Sequence, residues 1–171
     1  TGTLSNVTPA PEIAVADGTT NITDNSGSVS FGSVNVGSSS SKTFTIQNLG
    51  NANLTLGTVS LPTGFVLTQA PLSTTIIPGA TTSFIVSLDT SIAGTFNGSL
   101  SFANNDADEN PFNFALAGTV TTPAPLAPEI TVLDGTTNIA DNTGNVSLGS
   151  VTVGGSASKT ITIRNAGTAD L

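Results

Sequence analysis

Residues 11–54 read PEIAVADGTTNITDNSGSVSFGSVNVGSSSSKTFTIQNLGNANL, and residues 128–171 read PEITVLDGTTNIADNTGNVSLGSVTVGGSASKTITIRNAGTADL. The two stretches align without a gap at a constant offset of 117, and 30 of the 44 paired positions are identical. A fixed offset with no insertion marks one structural unit used twice. Within it the apolar residues alternate. Phe44 and Ile46 share one face of the run Lys42 to Gln47, while Thr43, Thr45 and Gln47 share the other. A period of two is the mark of a half-buried strand, and no stripe of period 3.6 competes with it.

The same alternation continues between the copies. Phe84, Val86 and Leu88 share a face, Phe96, Leu100 and Phe102 line up across Gly98, and Phe112, Phe114 and Leu116 follow. Ile13 with Val15, Val29 with Phe31, Leu54 with Leu56, and Phe65 with Leu67 complete the set. Turn formers punctuate the runs at Asn25 to Gly27, Asn48 to Gly50, Pro62 to Gly64, Pro78-Gly79 and Asn104 to Pro111. Seven to nine short strands per module predict an all-β fold, with antiparallel immunoglobulin-like β-sandwich modules in tandem.

All eight Phe lie in one complete module at 11–120, and its predicted core includes Phe44, Ile46, Phe84, Val86, Phe102, Phe112 and Phe114. Gly2-Thr3-Leu4 matches Gly118-Thr119-Val120, so residues 1–10 read as the end of a preceding module and its linker. A linker at 121–127 carries Pro123 and Pro125, which favour an extended, semi-rigid spacer. Residues 128–171 read as the first half of a second module, with Ile130, Val132, Val146, Leu148, Ile161 and Ile163 facing inward. The chain as a whole reads as a window on a longer array.

Composition narrows the function. Charged residues make up 8% of the chain, against about 25% in ordinary globular proteins. The chain has no His and no Cys, which removes Ser-His-Asp and Cys-His nucleophile pairs, thiolate metal sites and an imidazole base. Lys42, Lys159 and Arg164 stand against eleven acidic residues, for a net charge of −8. No basic face exists for nucleic acid or for an anionic membrane surface. No apolar run approaches the ~18 residues of a membrane span, so direct membrane insertion is not expected.

The residues Phe31 to Gly37 and Lys42 to Leu54, with Asn104-Asn-Asp-Ala-Asp-Glu-Asn-Pro-Phe112 and Gly118-Thr119 behind them, resemble the choice-of-anchor D domain. That domain is a bacterial extracellular repeat related to the hydin-type (ASH) immunoglobulin-like modules. The resemblance covers residues 11–120 and resumes from 128. It implies a sandwich of seven to nine strands, set in tandem in large surface-attached or secreted bacterial proteins, with no catalytic residue to transfer. The ciliary relatives fit less well, since an acidic, Lys-poor module is repelled by the acidic surface of a microtubule.

One polar stretch is a candidate site. Asp106, Asp108 and Asn110 place oxygens at alternate positions, like the opening ligands of a calcium loop, and are the candidate Ca²⁺ ligands. Against this, Pro111 occupies the sixth position, where an EF-hand needs Gly, and no Glu follows at the twelfth. A hairpin loop whose Asx side chains bond their own backbone accounts for the same residues. No other cofactor is implied. Asp17 to Asn21 with Asp24-Asn25, repeated as Asp134 to Asn138 with Asp141-Asn142, could add oxygens or could simply form turns. Lys42 and Lys159 occupy equivalent places, and each reads as a strand-end ammonium reaching water rather than a partner in a cross-link.

The expected role is therefore non-catalytic. The chain reads as a structural repeat of a long bacterial extracellular fibre, stalk or giant adhesin, with neighbouring modules of the same or an identical chain as partners. The alternative is a surface module that recognises a glycan or a cell-surface protein through its loops. Inward-facing Phe residues leave little platform for stacking a sugar.

Overall fold

A computed structural model describes residues 8–171. Most of the expectation for residues 1–10 falls on residues 1–7, outside the described ones. The chain divides into two compact units between Pro123 and Ala124. No helix among the described residues is long and apolar enough to cross a membrane.

The first unit contains ten strands: β1 (Ile13–Asp17), β2 (Thr20–Ile22), β3 (Ser28–Asn35), β4 (Ser41–Asn48), β5 (Leu54–Thr55), β6 (Phe65–Gln69), β7 (Thr75–Ile76), β8 (Thr81–Leu88), β9 (Gly94–Phe102) and β10 (Phe112–Thr121). Seven of them have five residues or more. A five-stranded sheet runs β2-β1-β4-β8-β6, a three-stranded sheet runs β3-β10-β9, and β5 pairs with β7. All these pairs are antiparallel except one. β3 runs parallel to β10, with Leu116 opposite Val29 and Val120 opposite Val34.

Alternation puts the rings between the sheets. Phe44 faces Phe84 across β4 and β8, and Phe112 faces Phe102 across β10 and β9. Ring centroids then close a circuit: Phe84 to Phe44 at 5.1 Å, Phe44 to Phe114 at 5.3 Å, Phe114 to Phe112 at 6.3 Å, Phe112 to Phe102 at 5.7 Å and Phe102 back to Phe84 at 6.2 Å. Each such pair adds about 0.5–1.5 kcal/mol beyond the area it buries. All seven residues predicted for the core are buried. Phe96 is the one Phe only partly buried, and it packs over Gly64.

The second unit has three strands, β11 (Ile130–Asp134), β12 (Thr137–Asn138) and β13 (Ile161–Asn165), in the order β12-β11-β13. The expected inward face is not covered. Ile130 is 55% exposed, Leu148 56% and Ile163 66%, Ile161 is exposed as well, and Val132 and Val146 are half-buried. Residues 145–152, the counterpart of β3, form no strand. The cause is pairing. In the first unit β3 has β10 as its only strand partner, and no strand lies beside residues 145–152.

Candidate functional site

The loop from β9 to β10 is built by its own amides. The Asn104 backbone N–H donates to Asn110 Oδ1 at 3.1 Å, and Asn104 Nδ2 donates to the Glu109 carbonyl at 2.7 Å. Asn104 Oδ1 accepts the Asp106 N–H at 2.7 Å. These three bonds fold residues 104–110 into a compact turn, as Asx side chains do when they replace backbone partners. Asn105 faces outward from the turn to its neighbour: Oδ1 accepts the Thr55 N–H at 2.7 Å, and Nδ2 donates to the Asn53 carbonyl at 3.1 Å.

Asp106 is 3% exposed, and its Oδ2 accepts the N–H of Ile13, the first residue of β1, at 2.7 Å. The acidic loop therefore latches the lead-in strand of its own module. Around this latch Glu12, Asp106, Asp108 and Glu109 each bring a carboxylate oxygen to within 4.8 Å of the others. Two predicted ligands, Asp106 and Asp108, are thus brought together. The Oδ1 of Asn110, the third, accepts the Asn104 N–H within the loop. Glu12 and Glu109 complete the carboxylate group, and the sequence reading named neither as a ligand. Glu12 lies 94 residues from Asp106, and its one signal was the Pro-Glu-Ile repeated at 128–130.

The electrostatics are unrelieved. Lys42 is the only basic residue before Pro123, and it is paired with Asp17. Two unit charges at about 4 Å repel by ~1 kcal/mol in water and ~4 kcal/mol at the effective dielectric near a protein surface. The group answers by holding a proton. Burial, first, then a hydrogen bond to Asp106 and the charges of Asp106, Glu12 and Asp108 push Glu109 up to about 7. Glu109 Oε2 is shut off from solvent with no hydrogen-bond partner. A shared proton satisfies such an oxygen, and so would a hard cation with oxygen ligands.

A second clamp holds the same lead-in residues. Asn48 is fully buried: Nδ2 donates to the carbonyls of Ala52 at 2.7 Å and Ile76 at 2.8 Å, and Oδ1 accepts from Gly50 at 3.0 Å and Glu12 at 3.4 Å. Asn51 and Ala10 exchange bonds, at 2.8 Å from the Ala10 N–H and 2.9 Å from the Asn51 N–H. A Cβ on Gly50 would lie 2.4 Å from the Ala10 oxygen, so only glycine allows this approach. The second unit repeats the clamp on Ala127 to Glu129, with Asn165, Gly167 and Thr168 in the same roles.

The other polar candidates are structural. Asp17 pairs with Lys42, and Asp134 with Lys159. Asp24 Oδ1 accepts the Asn113 N–H at 2.7 Å, and Asn113 Nδ2 donates to Asn25 Oδ1 at 2.9 Å, which ties the β2–β3 turn to β10. Asn25 takes φ 61°, a conformation Asn tolerates.

With this geometry in view, comparison with known proteins is decisive for the family. The HYDIN/CFA65/VesB-like, Ig-like domain family matches residues 22–119. The chain belongs to that family. No curated protein matches it. Among solved structures, a protein of unknown function from Porphyromonas gingivalis W83 is similar at 16% identity and a TM-score of 0.53, over 67% of this chain and 50% of that one. The chain thus spans half the length of that relative. The ASH/PapD-like domain 7 of human CEP192 is similar at 12% identity and a TM-score of 0.52, over 72% of this chain and 96% of the domain. Both likenesses concern the fold alone.

Proposed function

We propose that this chain is a non-catalytic, rod-forming spacer and assembly unit of a bacterial extracellular or cell-surface fibre, stalk or adhesin. One observation carries the reading: both copies of the repeat clamp their own lead-in residues, Ala10 to Glu12 and Ala127 to Glu129, through the same Asn-x-Gly geometry. A linker pinned at its end to the module that follows, and stiffened by Pro123 and Pro125, sets length and direction rather than chemistry. The low charge and the −8 balance fit a polar surface without a nucleic-acid or membrane role.

The alternative, a glycan- or protein-binding module, draws support from Phe96, which lines a surface cavity of about 270 Å³ with Ile92 and Asp89. A glycan array and X-ray scattering on the purified chain separate the two. The spacer reading expects no saturable glycan binding. Saturable binding that Phe96→Ala abolishes would overturn it.

A divalent cation at Glu12, Asp106, Asp108 and Glu109 is a second reading of the latch, favoured by the unpartnered Glu109 Oε2. Millimolar Ca²⁺ should then raise the melting temperature by mass action. An identical melting temperature in Ca²⁺ and in EDTA leaves the proton as the sole resident.

A further inference from the structure

The chain enters and leaves the first unit at opposite ends. Ile13, the first residue of β1, is latched by Asp106 in the loop where β10 begins. Asp17, the last residue of β1, pairs with Lys42 near the start of β4. The short connection from β3 to β4 lies where β10 stops, and its Val36 N–H donates to the Thr121 carbonyl at 2.9 Å. β1, β3 and β10 therefore run in one direction. The ten residues of β10 put about 34 Å between the two ends.

Both strands that take up a pull on the chain are interior to their sheets. β1 lies between β2 and β4, and β10 lies between β3 and β9. Tension at Ala10 draws β1 backward along its own axis, and tension at Thr121 draws β10 forward along its axis. Ladder hydrogen bonds run across the strands, so a pull along the axis strains them all together. A strand pulled sideways from one end lets go bond by bond instead.

The two strands are unequal, and the fastening is placed accordingly. β1 has five residues against the ten of β10. The extra bonds sit in the line of pull ahead of the shorter strand. Asp106 Oδ2 holds the Ile13 N–H, the Glu12 carbonyl accepts the Leu49 N–H at 2.7 Å, and the Ala10 carbonyl accepts the Asn51 N–H at 2.9 Å. The exit is held more simply, by Val36 on the Thr121 carbonyl and by Thr121 Oγ1, 3.0 Å from Asn35 Oδ1.

We infer that the first unit is a tension-bearing element, with β1 and β10 loaded in shear and the lead-in latch reinforcing the weaker of the two. This gives the spacer reading a specific load-bearing role, and it is tested apart from that reading. Saturable glycan binding would sink the spacer and leave the direction-dependent strength of the unit standing.

The test is single-molecule force spectroscopy on the 171-residue chain, which has no Cys, so introduced pairs make unique handles. Pro9→Cys with Thr122→Cys pulls along the chain. Ala93→Cys with Thr122→Cys pulls β9 from β10 at the end where Gly94 faces Val120. Neither pair loads the second unit. Each residue freed adds about 3.5 Å of extension, which verifies that the first unit was folded before it gave way. Sliding β1 by one residue, about 3.4 Å, breaks its five registered pairs with β4 together, whereas unzipping releases one pair for every ~6.8 Å, so the rupture force should be about tenfold higher along the chain. Asp106→Ala should lower the force along the chain and leave the unzipping force as it was. Equal forces in the two directions overturn the inference. So does an Asp106→Ala chain that withstands the pull along the chain as well as the parent.

Discussion

Replacing Asp106 separates the latch from its charge. Asp106→Ala removes the acceptor of the Ile13 N–H, which lies on a residue 4% exposed and has no route to water. A hydrogen bond to a charged group is worth about 1.5–3 kcal/mol, and an orphaned buried donor costs a similar amount. Removing the carboxylate also relieves repulsion from Glu12, Asp108 and Glu109. Below about pH 7 Glu109 holds its proton, so less repulsion remains to relieve, and more of the cost of about 2 kcal/mol should appear at pH 5. At pH 8 the relief offsets about 1 kcal/mol of it. Asp106→Asn keeps a carbonyl acceptor in place, so at pH 8 it should match the parent or exceed it slightly. Urea denaturation read by circular dichroism in EDTA suits a chain with no Trp or Tyr. If Asp106→Asn at pH 8 loses as much as Asp106→Ala, the negative charge itself is required and the latch argument fails.

Further outcomes follow from the same geometry. Phe102→Ala opens the ring circuit and should cost about 3–5 kcal/mol; a loss under about 1 kcal/mol would put that face in solvent. Glu109 is held at about 7 in the folded state against an ordinary 4.5, so the folded chain binds more protons between those values. Its contribution is therefore fully present below 4.5 and lost as pH rises through 7, and Glu109→Gln should flatten that fall in a pH series of melting temperatures. Asn48→Ala leaves buried partners at Ala52 and Ile76 and should cost about 2–4 kcal/mol, while Asn165→Ala, exposed to water, should cost under about 1 kcal/mol by the same denaturation assay.

The fold was legible because the alternation is strict and the core is nearly all Phe, Ile, Leu and Val. Phe44, Phe84, Phe102, Phe112 and Phe114 could be placed inward from period alone, and each is buried. What alternation could not supply was the partner of each strand. Val29 and Phe31 alternate as well as Phe44 and Ile46, yet their strand runs parallel to β10, almost ninety residues away. The same limit explains the second unit. Val146 and Leu148 carry the pattern of Val29 and Phe31, and without a neighbouring strand the pattern yields no strand. A period of two states which face a residue will take once paired, and hydrogen bonds to a distant segment decide whether it is paired at all.

The site was half legible for a related reason. Asp106 to Asn110 stood out because four oxygen-bearing side chains in five residues suit calcium, and also because they suit an Asx turn. The structure assigns the residues of this run to different duties: Asn104 and Asn110 close the turn, Asn105 holds Asn53 and Thr55, and Asp106 holds Ile13. Glu12 arrives because Ile13 must be latched, and once there it adds a fourth carboxylate to a loop already crowded with three. The acidic cluster is thus a by-product of where the lead-in strand is fastened. Its repulsion sets the proton on Glu109, and that proton, or a cation in its stead, sits where the linker meets the sandwich. Any ligand of these carboxylates therefore acts on how firmly the first unit holds Glu12 and Ile13, the residues that lead into β1.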